Sequence, residues 1–145
     1  MSRPIPATIA HHRTGRGSPL VLLHPLGADR HVWDPLVPFL TPWRELILID
    51  IPGFGQSPAL DGQTPTPRAL AAAVAEHLAA IGVEHPHVAG NSLGGWVALE
   101  LGISGMAGSV SGIAPAGLWP EPLVPKAAIA HRLARALLPA AGWCV

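Results

Sequence analysis

Short, unbroken apolar runs alternate along this chain with longer stretches in which apolar side chains return every three or four positions. Residues 20–23 (Leu-Val-Leu-Leu) and 46–49 (Leu-Ile-Leu-Ile) contain no polar position at all. That is the pattern of strands covered on both faces, as in a parallel sheet. Residues 5–12 predict a first strand, residues 14–18 a turn, and residues 88–89 and 110–114 two weaker later strands. The clearest helix spans residues 67–81, where Leu70, Val74, Leu78 and Ile81 share one face. Thr66 is placed to cap it, Pro67 suits its first position and Gly82 its exit. A shorter helix over residues 32–40 is expected to bury Trp33, Leu36, Val37 and Leu40, with Pro38 weakening it. Another is expected to start after Ser92, and residues 127–138 form a last helix-like stretch with Arg132 and Arg135 outward. Strands alternating with helices predict an α/β fold with a mostly parallel, doubly wound sheet flanked by helices.

Composition narrows the partners. Nine Lys and Arg balance nine Asp and Glu in 145 residues, so no broad field exists to attract nucleic acid or anionic lipid. A small molecule is the expected partner. The N-terminus lacks a continuous apolar segment, and no stretch reaches the roughly 18 to 20 apolar residues of a membrane span. A cytoplasmic protein is therefore expected. Cys144 is the one cysteine and is read as incidental. Histidines cluster at His11-His12 and around Glu84, His85 and His87, but without Cys or a well-spaced third ligand they predict no metal site.

Three segments carry the chemistry. Gly90-Asn91-Ser92-Leu93-Gly94-Gly95 sits between a short strand and the helix that follows, the setting of a G-x-S-x-G turn. Such a turn needs tiny neighbours, because side chains at Gly90 and Gly94 would crowd the backbone. It would lift the Ser92 hydroxyl to the positive end of the next helix, where negative charge is stabilised. The competing reading is a glycine-rich turn with an ordinary cap serine. Upstream, His24-Pro25-Leu26-Gly27 follows one apolar strand, and Asp50-Ile51-Pro52-Gly53-Phe54-Gly55-Gln56-Ser57 follows another.

In these three segments, in this order, the chain resembles the serine-nucleophile branch of the α/β-hydrolase fold family across about residues 5 to 120. The resemblance implies that Ser92 is the nucleophile and that the backbone N–H groups of Leu26 and Leu93 form the oxyanion hole. It makes His24 a loop-organising residue, Gly90, Gly94 and Gly95 the residues that shape the elbow, and Asp50 structural. Pro25 departs from the family, which usually has Gly there, yet the donor expected in that loop belongs to Leu26. A serine rather than a carboxylate at the elbow argues against epoxide opening and halide displacement. It leaves ester and related acyl hydrolysis, or carbon-carbon bond hydrolysis, with no cofactor. Ala114-Pro115-Ala116-Gly117 would lead into a cap over the site.

The family order is Ser, then Asp or Glu, then His. After Ser92 the sequence offers Glu100, Glu121 and His131, and none is a convincing partner: Glu100 lies behind the elbow, Glu121 follows a Pro/Gly-rich loop, and His131 sits on a helix surface. Residues 1–120 are thus expected to be the N-terminal part of a hydrolase core, and residues 121–145 the start of a cap, truncated after about the family's sixth strand. The open sheet edge invites self-association or a companion chain. Three functions stand at this point: a serine hydrolase of low or no activity, acting on a small ester or related carbonyl compound; a non-catalytic fragment or binding module; and half of a split carbon-carbon bond hydrolase.

Overall fold

The computed structural model describes residues 9–62 and 64–118. Five strands form one sheet: β1 (His11–Gly15), β2 (Pro19–Leu23), β3 (Glu45–Ile49), β4 (His87–Asn91) and β5 (Ser109–Ile113), in the order β1-β3-β2-β4-β5. β1 runs antiparallel to β3, and all other neighbours are parallel. The unbroken apolar runs thus lie in the middle of a mostly parallel sheet, as the sequence predicts.

Each central strand sends alternate residues to two apolar layers. Val21, Leu23, Ile47, Ile49 and Val88 pack with Leu70, Val74 and Leu78 of α2 (Pro67–Ala80) and with Val97 and Leu101 of α3 (Leu93–Ile103). Leu22, Leu46 and Leu48 face the other way, against Trp33. Burial on both faces explains the absence of polar positions in β2 and β3. α2 begins where expected: Thr66 Oγ1 accepts a hydrogen bond from the Ala69 N–H at 3.2 Å, and Gly82 leaves the helix at φ +74°.

Two expectations need correction. Ile9 and Ala10, read as part of the first strand, lie ahead of β1, residues 5–8 lie outside the described residues, and Thr14 and Gly15, read as turn, pair with Leu46 and Glu45. The Arg13–Glu45 ion pair, 2.8 Å, holds this end of β1 to β3. The expected helix over residues 32–40 is instead a 3-10 segment (Arg30–Leu36) followed by one short turn, α1 (Val37–Leu40). Pro35 and Pro38 lack the N–H groups a continuous α-helix would use. The tighter winding buries Trp33 but turns Leu36 outward, 44% exposed.

β5 is the edge of the described sheet, and Ser109, Ser111, Gly112 and Ile113 on it are exposed. Among the described residues no helix is long and apolar enough to cross a membrane. The domain division expected near residue 120, the helix expected at residues 127–138, Glu121, His131 and Cys144 lie outside the described residues.

Candidate active site

The C-terminal ends of β2, β3 and β4 each run directly into one of the segments singled out from the sequence. After β2, His24 is completely buried and both ring nitrogens are engaged. Its Nδ1 lies 2.8 Å from the Pro25 carbonyl oxygen, and its Nε2 accepts from the Ile51 N–H at 3.0 Å. Accepting at Nε2 leaves the proton on Nδ1, which donates to Pro25. This ring therefore has no nitrogen free to take a proton from a substrate or a serine; it ties the loop after β2 to the loop after β3. The Pro25 carbonyl also accepts from Ala28, 3.3 Å, closing a turn whose third residue, Gly27, has φ +76°. Leu26 stands at the tip of that turn, 71% exposed, and among the described residues its N–H has no hydrogen-bond partner.

After β3, the Asp50 carboxylate is buried at the centre of a polar knot. It accepts from the Arg30 N–H at 2.7 Å and the Gln56 N–H at 2.9 Å and is ion-paired with the Arg30 guanidinium. Burial pushes its pKa up, but the Gln56 and Arg30 amides and the Arg30 charge outweigh that and hold the carboxyl below its ordinary range. Gly55 is needed here, since a Cβ on it would lie 2.4 Å from Asp50 Oδ2. Ser57 donates to the Asp50 carbonyl at 2.6 Å and accepts from the Ala10 N–H at 2.9 Å. Asp50 is thus fully occupied in shaping its loop.

After β4, the chain turns sharply at half-buried Ser92, with φ +51° and ψ −111°, a conformation that a residue with a Cβ rarely adopts. Three hydrogen bonds impose it. The Ser92 N–H donates to the Ile113 carbonyl at 3.0 Å, and the Ser92 carbonyl accepts from Trp96, 3.1 Å, and Ala116, 2.9 Å. The glycines around it leave no room for side chains. A Cβ on Gly90 would fall 2.1 Å from the Gly94 oxygen, one on Gly94 2.2 Å from the Leu23 oxygen, and one on Gly95 2.8 Å from Pro115 Cβ. Ser92 precedes α3 as its N-cap residue, yet its side chain makes no capping hydrogen bond. An ordinary cap serine would accept from the first-turn amides. Here the hydroxyl is left over, beside a helix terminus whose leading N–H groups, that of Leu93 first, have no intrahelical acceptor.

Leu26 and Leu93 meet in one cavity of about 470 Å³, walled also by Phe54, Leu60 and Leu70. Phe54 is braced edge-on against the His24 ring, centroids 5.5 Å apart at 74°. Among the described residues no histidine or carboxylate is hydrogen-bonded to Ser92. His31 contacts Asp34, His77 contacts His11, and His87 contacts Ser109 at the opposite, N-terminal end of β4. Nor do three or more His, Cys, Asp or Glu gather, among the described residues, as a metal site would require.

Arg30, Gln56, Ile113 and Ala116 are the residues that sequence reasoning missed. Arg30 is the one cation between residues 17 and 43, and a buried aspartate demands such a partner. The backbone donors and acceptors at Gln56, Ile113 and Ala116 leave no trace in side-chain identity.

The model of the alpha/beta hydrolase family matches residues 20–144. Over 97 residues the chain is 41% identical to a pimeloyl-[acyl-carrier protein] methyl ester esterase of Aeromonas hydrophila, covering 67% of this chain and 37% of that protein. Over 50 residues it is 58% identical to the epoxide hydrolase EphH of Mycobacterium tuberculosis, covering 34% of this chain and 23% of that one. A solved thermophilic esterase from Thermogutta terrifontis superposes with a TM-score of 0.72 at 25% identity, over 86% of this chain and 47% of the other. The chain spans well under half the length of the curated relatives it matches.

Proposed function

The chain belongs to the alpha/beta hydrolase family, and from that premise we propose that Ser92 is the nucleophile of an ester-hydrolysing site. The observation that carries this is the combination of a strained, glycine-packed turn with a hydroxyl that does not cap its own helix. Strain of about 1 to 3 kcal/mol at one residue persists where function uses the geometry. In the reaction, a bond forms between Ser92 Oγ and the substrate carbonyl carbon while the ester C–O bond breaks. The hydroxyl proton leaves with the alcohol, and water then splits the acyl-serine to release the acid. The Leu26 and Leu93 amides face the negative oxygen of the tetrahedral intermediate, each worth about 3 kcal/mol by the measure of similar donors. His24 and Asp50 act by holding the loops. The esterase names among the relatives support an ester substrate. The epoxide hydrolase among them does not redirect the reading, because covalent epoxide opening uses a carboxylate where this chain has Ser92.

A serine needs a positioned base, and His24 cannot serve. No histidine or carboxylate is hydrogen-bonded to Ser92 among the described residues, so those residues without a further base support only slow turnover. Losses on the order of 10⁶ in kcat accompany removal of the histidine in such enzymes. Among the described residues β5 has no strand on its outer side, which supports pairing with a companion chain or a second copy.

A fluorophosphonate probe tests the nucleophile. Native wild type is labelled over long exposure, slowly for want of a base among the described residues, and Ser92→Ala and heat-unfolded protein are not. A folded wild type that takes up no label refutes the reading and favours a binding module without chemistry.

A further inference from the structure

The cavity beside the site has a composition that selects its occupant. Its described lining consists of Leu, Phe, Pro, Ala and Gly, without a charge, hydroxyl or amide side chain. At about 470 Å³ it falls within the roughly 300 to 1,000 Å³ of small-molecule pockets. Such a surface rejects a carboxylate or a sugar, whose polar groups would be desolvated without partners. It also holds its shape: Leu70 is anchored in the core of α2 at 2% exposure, and Phe54 rests on the immobilised His24 ring.

Resting on the assignment of Ser92 as nucleophile, we infer that this cavity is the acyl subsite and that the substrate is an ester of an uncharged aliphatic acid of medium chain length. Two of its walls are Leu26 and Leu93, the residues whose amides face the carbonyl oxygen, so one substituent of the carbonyl carbon lies at its mouth. The acyl chain is the substituent that fits. It stays bound through the acyl-serine stage while the alcohol must leave for solvent. Medium length follows from the volume, which a two-carbon acyl group leaves mostly empty.

Two measurements test this separately from the nucleophile. Wild type is labelled with ethyl and with octyl fluorophosphonate, and methyl octanoate and methyl acetate are titrated calorimetrically into Ser92→Ala. Burial favours the longer chain by about fourfold for each methylene enclosed, so octyl labelling is expected to exceed ethyl labelling at least tenfold. Leu60→Trp, which fills the cavity, lowers that ratio at least tenfold. Ala59→Trp, at an exposed lining position, does the same should Leu60→Trp not fold. Equal labelling by both probes overturns the acyl subsite and leaves Ser92 standing. No labelling by either, with methyl octanoate still bound and weakened by the tryptophan variants, overturns the nucleophile and leaves only a chain-binding cavity. Methyl octanoate binding no better than methyl acetate overturns the cavity assignment outright.

Discussion

Replacing Ser92 by glycine is expected to make the protein more stable while removing its reactivity. At φ +51° and ψ −111° the Ser92 Cβ is crowded by its own backbone, a strain of about 1 to 3 kcal/mol that glycine does not suffer. Glycine also adds freedom to the unfolded chain, at about 0.5 to 1 kcal/mol. The net gain is about 0 to 2.5 kcal/mol. Ser92→Ala separates strain from the hydroxyl: it keeps the Cβ and removes an oxygen that makes no capping bond, so it should stay within about 0.5 kcal/mol of wild type. Urea unfolding followed by fluorescence of the five tryptophans reads the difference. The midpoint should rise for Ser92→Gly at constant slope, and the thermal midpoint by about 2 to 4 °C per kcal/mol. If Ser92→Gly proves no more stable than Ser92→Ala, the turn is not strained and the structural case for a specialised serine fails.

Gly94→Ala drives a Cβ to 2.2 Å from the Leu23 oxygen and 2.6 Å from that of His24. Because both are backbone, the variant should lose about 1 to 3 kcal/mol in a urea melt and label about 100-fold more slowly as the site shifts. Arg30→Ala leaves the Asp50 carboxylate buried without its cation, and unfolding should be easier by about 3 to 5 kcal/mol. Asp50 titrates below its ordinary 3.8, so it stabilises the fold above that pH and ceases to as pH falls through the lowered value. Arg30→Ala should move this acid loss to higher pH. His77 is held below the ordinary 6.5 by burial and by His11, 3.0 Å away. The unfolded chain therefore binds the extra proton first, and stability should fall as pH drops through 6.5 toward the lowered value. His77→Phe should flatten that slope in melts run across the range.

The sequence carries the sheet because two unbroken apolar runs, too short for helices, suit strands covered twice, and it carries α2 because Thr66, Pro67 and Gly82 mark its ends. It misplaces what depends on pairing. Thr14 and Gly15 look like turn residues until β3 lies beside them, and Leu36 looks like core until Pro35 and Pro38 force a tighter winding. At the site, the glycines around Ser92 are legible because each answers a clash. Away from the site, the His77 contact is not legible, for a histidine on an apolar helix face shows no partner until β1 brings His11 to it.

The three hydrogen bonds on the Ser92 peptide have a kinetic meaning. Two of them come from Ile113 and Ala116, more than 20 residues onward, so α3 can wind locally while the serine still lacks its bend. Reactivity should then emerge late in refolding, on the schedule of β5 joining the sheet rather than of helix formation. A pulse of probe during refolding would time that final assembly directly.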